Sequence, residues 1–116
     1  MSDEAPASIF SLDIERAGSA AIVRCHGRLV AGVCDFLYIE VSRLLPDTKR
    51  IVLDLTDLTH MDSMGLGTVV RLWVSCRPAG SALELINLGR RVREMLGVTN
   101  LLSVFTVIGE TGIKMP

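Results

Sequence analysis

The strongest constraint on the fold is an apolar run that leads, through a short polar corner, into a second and longer apolar run. Residues 51–55 are apolar except for one aspartate, and short runs of this kind are typical of strands buried on both faces of a sheet. The later run, residues 66–76, is mostly apolar and compatible with a helix. The corner between them reads Asp62-Ser-Met-Gly65. This pattern predicts that a buried strand enters a tight turn, which places Ser63 at the exposed start of a helix.

Apolar periodicity and turn residues predict the order β-β-α-β-α-β-α-β for the chain. The predicted strands are residues 9–15, 20–25, 50–55, 82–86 and 104–107, and the predicted helices are residues 33–45, the corner to about 77, and 90–96. Gly27, Pro46 and Gly97 are the expected ends of the second strand, the first helix and the third helix. This order predicts an α/β (α+β) fold in which helices pack against a mixed sheet.

At 116 residues the chain is long enough for one domain with its own core. We expect that domain to span residues 9–108, with a flexible lead-in at 1–8 and a loose tail at 109–116. Functional sites in such folds usually lie beyond the carboxyl ends of strands, where loops open into helices. The corner that contains Ser63 lies at such a place.

The composition of the chain argues against nucleic-acid binding and membrane insertion and indicates a reducing compartment. Lys and Arg number 12 against 13 Asp and Glu, so no basic stripe predicts nucleic-acid binding, and the short cluster Arg90, Arg91 and Arg93 is expected to be a solvated helix face. The acidic, polar N-terminus is unlike a signal peptide, and the longest nearly uncharged stretch, 64–76, is too short to cross a bilayer. We expect a cytoplasmic protein without direct membrane insertion. An odd number of cysteines fits that compartment, and we expect all of them in the core: Cys25, Cys34 and Cys76.

Ser63 admits three interpretations. It could cap its helix, because serine is preferred at that position. It could accept a phosphate, because negative charge is favoured at a helix start. It could be a nucleophile served by His26 or His60, although no G-x-S-x-G elbow is present, and this is the least favoured interpretation. The sequence has no P-loop, metal-ligand spacing or catalytic carboxylate pair, so we expect no enzyme activity, no catalytic residue, no cofactor and no metal.

Two further groups of residues carry expectations about packing. Asp54 interrupts an apolar strand, and we expect its carboxylate to meet a sheet edge, a loop N–H group or an arginine such as Arg50. Val30, Val33 and Phe36 form either an exposed apolar patch for protein contact or part of the core, and the sequence does not decide between these alternatives.

The segment Leu53-Asp-Leu-Thr-Asp-Leu-Thr-His-Met-Asp-Ser-Met-Gly-Leu-Gly67 resembles the core signature of the STAS family, of the anti-sigma factor antagonist type. Supporting matches are Gly27-Arg-Leu29 upstream, and Leu83-Glu-Leu-Ile-Asn87 and Val92-Arg-Glu-Met-Leu-Gly-Val98 downstream. The resemblance spans about residues 10–107. It implies a STAS-like mixed sheet of four to five strands with helices mainly on one face.

The resemblance also implies a partner-switching function in bacteria. A family member of this type binds an anti-sigma factor with serine kinase activity and is released when the serine after the aspartate, here Ser63, is phosphorylated. A phosphatase of the PP2C type reverses the modification. The implied partner surface comprises the helix start and the loop after the second strand, which correspond to Asp62, Ser63, Met64, Gly65, Leu66, Arg28, Val30 and Val33.

Two positions depart from the family pattern. Val30 stands where an acidic residue is usual, and Met64 stands where a small Ser or Thr is more common. Both favour an alternative in which the chain is a STAS subunit that does not switch by phosphorylation, in a signalling scaffold or in a membrane complex for lipid or anion transport. The sequence leaves the oligomeric state open between a monomer and a weak dimer.

Overall fold

Strands and helices alternate along the chain after an opening hairpin, as the periodicity predicts. The computed structural model describes residues 3–4, 9–98 and 106–108. In this part of the chain the strands are β1 (Asp3–Glu4), β2 (Phe10–Ala17), β3 (Ala20–Leu29), β4 (Arg50–Met61), β5 (Ala82–Ile86) and β6 (Thr106–Ile108), and the helices are α1 (Cys34–Ser42), α2 (Ser63–Cys76) and α3 (Arg90–Val98). A 3₁₀ turn at Leu45–Asp47 follows α1.

The strands form one mixed sheet whose spatial order follows the chain from β1 to β6. The first three strands pair antiparallel, and β3, β4, β5 and β6 pair parallel. Because β3, β4 and β5 point the same way, α1, α2 and α3 all begin at the same edge of the sheet. The predicted fold class is therefore confirmed.

One face of the sheet carries the core. Val23, Leu53 and Leu85 lie side by side in the parallel register and are almost completely buried. They belong to one apolar cluster with Leu37 of α1 and Leu72 of α2. Side chains of α1, α2 and α3 all belong to this one cluster, so the helices cover one face of the sheet, as expected.

Strand β2 ends at Ala17, slightly beyond its predicted end, and β3 and β4 run well beyond theirs. β3 continues past Gly27, because the residue adopts a φ of +99° and the pairing with β4 shifts register there. β4 continues to Met61, well beyond the expected end near residue 55. Four residues of this extension are polar and exposed (Thr56, Asp57, Thr59 and His60), so their strand conformation depends on pairing with β3 and leaves no apolar pattern in the sequence.

Other element ends also differ. The first helix ends at Ser42, and Pro46 lies in the following 3₁₀ turn. The third helix passes through Gly97 to Val98, so Gly97 does not end it. Part of the expected lead-in forms β1, with Asp3 opposite Leu12, and this edge strand makes six strands where four to five were expected. The predicted last strand is found at Thr106–Ile108, while residues 104–105 and the expected tail at 109–116 lie outside the described residues.

Asp54 meets a backbone N–H group and an arginine, as expected, but the arginine is Arg24, at 3.9 Å, and not Arg50. Asp54 accepts hydrogen bonds from the Thr56 backbone N–H at 3.0 Å and from the Asn87 amide at 3.1 Å. Burial raises the pKa of Asp54, but hydrogen bonds from the Thr56 hydroxyl, the Asn87 amide and the Thr56 N–H, together with the charge of Arg24, outweigh burial and hold the pKa below its ordinary value. Arg50 does not serve Asp54, because its guanidinium makes two hydrogen bonds, of 2.8 and 2.9 Å, to the buried carboxylate of Glu84.

The cysteines are free and buried, as predicted. Burial raises the pKa of the Cys25 thiol to about 12 and that of Cys76 to about 11, so both thiols stay protonated near neutral pH. Among the helices described here, none combines the length and the apolar composition needed to cross a bilayer.

Candidate partner-docking site at the start of α2

Asp62, not Ser63, caps the helix that begins after β4. The Asp62 backbone is extended (φ −102°, ψ −175°), and its carboxylate Oδ1 accepts a hydrogen bond from the Gly65 N–H at 2.9 Å. A carboxylate at this position satisfies a free N–H group and is favoured by the helix dipole. The interpretation of Ser63 as the cap is therefore wrong, because the residue before it already fills that role.

The same carboxylate holds the loop after β3. Asp62 Oδ2 accepts a hydrogen bond from the Ala31 N–H at 3.0 Å, so one side chain joins the start of α2 to the loop at residues 30–33. Hydrogen bonds from the N–H groups of Gly65 and then Ala31 hold the pKa of Asp62 below its ordinary value. Asp62 is therefore ionised at neutral pH, with both oxygens bonded to backbone groups.

Ser63 is the first residue of α2, and its side chain is exposed. Within the described part of the chain, its hydroxyl makes no hydrogen bond. The hydroxyl is therefore accessible to another protein, and a modification there would not remove a structural contact.

The residues that follow Ser63 divide into exposed and buried positions. Met64 is 59% exposed, and it is one of the few large apolar side chains that face solvent. Gly65 is buried against β3, where a Cβ atom would collide with the Leu29 carbonyl oxygen and lie 3.0 Å from the Met61 side chain. Leu66 is 9% exposed and supports the surface from below. Met64 is thus available for contact, while Gly65 fixes how closely α2 approaches the sheet.

The loop after β3 supplies only part of the expected contact surface. Arg28 is exposed and Val30 is half-buried. Val33 is only 2% exposed, so its prediction as a partner-contact residue is wrong. The turn at 31–33 directs this side chain beneath α1 into the core. Phe36 also packs inward, with its ring edge-on to Phe10 at a centroid distance of 6.4 Å. For Val33 and Phe36, the core alternative is correct.

A groove that the sequence did not predict runs between the start of α2 and α3. It encloses about 560 Å³ and is lined by Met61, Ser63, Leu66, Arg91, Glu94, Met95 and Val98. Val98 is 85% exposed, which is unusual for a valine on a helix. The spacing of Arg91, Met95 and Val98 is i, i+4, i+7, and this signal could have indicated a common helix face.

Neither histidine is placed to activate Ser63. His26 Nε2 lies 2.8 Å from Asp13 Oδ2, and its Nδ1 lies 3.1 Å from Asp57 Oδ2. His60 is exposed and its Nδ1 lies 3.1 Å from the Thr59 hydroxyl. Among the described residues, neither histidine contacts Ser63, so the structure does not support the nucleophile interpretation with a histidine base. Across the described ranges, no three His, Cys, Asp or Glu side chains are grouped as metal ligands would be.

Comparison with known proteins places this geometry in a family. A model of the STAS domain matches residues 11–112. The crystal structure of an anti-sigma factor antagonist from Mycobacterium paratuberculosis is similar with a TM-score of 0.76 and 18% identity, over 90% of this chain and 88% of that protein. The phosphorylated form of the Bacillus cell fate determinant SpoIIAA is similar with a TM-score of 0.69 and 17% identity, over 86% of this chain and 93% of that protein.

The same fold occurs inside a larger protein of another class. The murine anion transporter of solute carrier family 26, member A9, matches with a TM-score of 0.64 and 16% identity. The match covers 72% of this chain but 14% of the transporter. At identities this low, these likenesses show a shared fold.

Proposed function

Because this chain belongs to the STAS domain family, we propose that it is an anti-sigma factor antagonist that works by partner switching. In this proposal, the start of α2 binds an anti-sigma factor with serine kinase activity, in the bacterial cytoplasm. Phosphorylation of Ser63 releases the partner, and a PP2C-type phosphatase restores binding. The chain itself is a binding module and not an enzyme.

The observation that carries the proposal is the division of roles between Asp62 and Ser63. Asp62 holds the helix start and the loop at 30–33, whereas the Ser63 hydroxyl is exposed and has no hydrogen-bond partner among the described residues. The phosphoryl group passes from ATP to the Ser63 oxygen, which loses its proton as ADP leaves. Because this step breaks no structural contact of Ser63, α2 can remain folded in both states.

The effect on binding follows from charge. A phosphate adds about −1.5 to −2 charges and three acceptor oxygens at neutral pH. On this surface it would lie beside the ionised Asp62 and the exposed Met64. A partner that packs on Met64 would then have to desolvate the phosphate, and an ion pair offsets that cost only in part. The phosphate would therefore act on binding and leave the fold intact.

The proposal is tested with the cognate kinase and ATP, with intact mass and peptide mapping as readouts. We expect one phosphate, on Ser63, and none on Ser63→Ala. The matched control is Ser19→Ala, since Ser19 is also exposed but lies in the turn between β2 and β3, at the opposite end of β3 from the site. Phosphate on another residue, or undiminished labelling of Ser63→Ala, would contradict the proposal.

A second candidate is a STAS subunit that binds its partner without a phosphorylation switch. It is favoured by the apolar rim around Ser63, where Met64 is exposed and Val30 is half-buried. The two candidates differ in the behaviour of Ser63→Asp. Loss of partner binding by this variant supports switching, and full binding by both Ser63→Asp and enzymatically phosphorylated protein supports the fixed subunit.

A further inference from the structure

Arg91 and Ser63 face the same groove from opposite sides. Ser63 belongs to the α2 wall, and Arg91 belongs to the α3 wall, one turn before Met95. From these positions we propose that Arg91 binds the phosphate of phosphorylated Ser63 and so bridges α2 and α3. This inference rests on the proposed function and adds the residue that would recognise the modified state.

The charges around the groove favour Arg91 for this role. Among the described residues, no carboxylate lies within ion-pairing distance of its guanidinium. Glu94 also lines the groove, but its carboxylate lies 3.9 Å from Arg90. The Asp62 carboxylate accepts hydrogen bonds from two backbone N–H groups. Among the described residues that line the groove, Arg91 is therefore the cation available to an incoming phosphate.

Arginine chemistry fits the ligand. A guanidinium presents N–H groups in a planar fork that can donate two parallel hydrogen bonds to phosphate oxygens. In the proposed bridge, the long side chain of Arg91 extends across the groove from the α3 wall to the α2 wall. Before phosphorylation, the Ser63 hydroxyl is a neutral acceptor and would interact only weakly with the Arg91 guanidinium. We therefore expect the bridge in the phosphorylated state alone.

The bridge has a consequence for the groove. An Arg91 side chain drawn towards Ser63 would lie over the apolar surface formed by Met61 and Leu66. Phosphorylation would then act in two ways, by placing charge at the rim and by covering the apolar floor that a partner could use. The phosphate would also be partly shielded from a phosphatase.

The test uses the full chain with phosphoserine installed at position 63 during translation, so that it does not depend on any kinase. The second pKa of the phosphate is followed by ³¹P NMR in wild type, in Arg91→Gln and in Arg91→Lys. The charged and titratable neighbours common to all samples are Asp62, Glu94 and His60. We expect the pKa in wild type to lie about 0.5 unit or more below that in Arg91→Gln, with Arg91→Lys between them.

The matched control is Arg90→Gln, which removes an equal charge from the adjacent position of α3, where the side chain faces Glu94. Arg90→Gln should shift the phosphate pKa much less than Arg91→Gln. Equal values in wild type and Arg91→Gln, or equal shifts in the two glutamine variants, would overturn the bridge. A kinase that ignores Ser63 would instead contradict the proposed function, and the two failures are therefore distinct.

Discussion

The surface around Ser63 has a fixed side and an open side, and they differ in how side chains are used. On the fixed side, Asp62 and Gly65 bind α2 to β3 and to the loop at 30–33 through backbone contacts. On the open side, the side chains of Ser63, Met64 and Arg91 are exposed. Neighbouring residues of one helical turn can therefore have separate roles, one in support of the fold and one in contact with a partner. Substitutions should therefore have large effects on stability on the fixed side and small ones on the open side.

The largest effect is expected for Gly65→Ala. An added methyl group would collide with the Leu29 carbonyl oxygen, a backbone atom that cannot move without shifting β3. Overpacking of this kind outweighs the better helix propensity of alanine, and we expect a loss of about 2 kcal/mol or more in the free energy of unfolding. Urea denaturation followed by circular dichroism measures it.

The control for this variant is Gly67→Ala, two residues along the same helix. Gly67 has open space where its Cβ would lie, so alanine should stabilise the protein by up to about 1 kcal/mol. Similar effects from the two substitutions, in either direction, would show that the approach of α2 to β3 does not constrain the site.

Asp62→Ala should have the next largest effect. It removes the helix cap and the hydrogen bond to Ala31 together, so α2 and the loop at 30–33 both lose an anchor. We expect a lower melting temperature and faster amide hydrogen exchange in both segments. Asp47→Ala, which removes an exposed carboxylate from the 3₁₀ turn, is the control for charge alone. Faster exchange confined to α2 would mean that the Ala31 hydrogen bond contributes nothing.

A smaller effect is expected for the dependence of stability on acid pH, to which Asp62 contributes. Because the pKa of Asp62 is lowered in the folded protein, its contribution is complete above the ordinary aspartate pKa of about 3.9 and is lost as pH falls through the lower folded value. Asp54 has a lowered pKa as well and adds to the same trend. Unfolding in urea at neutral pH and near pH 3 should show a smaller acid loss for Asp62→Asn than for wild type. An identical loss in both proteins would argue against this linkage.

The smallest effect is expected for Ser63→Ala. The hydroxyl is exposed and, in the described structure, unbonded, so the free energy of unfolding should change by less than about 0.5 kcal/mol. The same substitution should abolish phosphate incorporation. A strong destabilisation would place Ser63 on the fixed side and remove the basis for treating it as a switch residue.

The sequence predicted what depends on local patterns. The strand before the corner, the helix after it and the exposed position of Ser63 follow from an apolar run, a cap residue and a second apolar run. The sequence could not say which of two adjacent capping residues, Asp62 or Ser63, holds the helix. In the structure Asp62 holds it through the Gly65 N–H, and its second oxygen bonds the Ala31 N–H, which only the tertiary fold brings within reach.

What the sequence missed depends on pairing and on distance between elements. The end of β4 is polar and exposed, so only its ladder with β3 reveals a strand there. Val33 was predicted to contact a partner, but its side chain is buried in the core after the turn at 31–33. The groove joins residues from 61 to 98, and no short-range pattern links Ser63 to Arg91.

The link between Asp62 and Ala31 has a consequence for divergence within such proteins. The carboxylate recognises a main-chain N–H group, which nearly every amino acid supplies, so the identity of the side chain at position 31 is free to drift. Proline alone lacks that donor and is barred. One scaffold can thus acquire new binding specificities by varying residues at 30–32, with its anchoring bond unchanged.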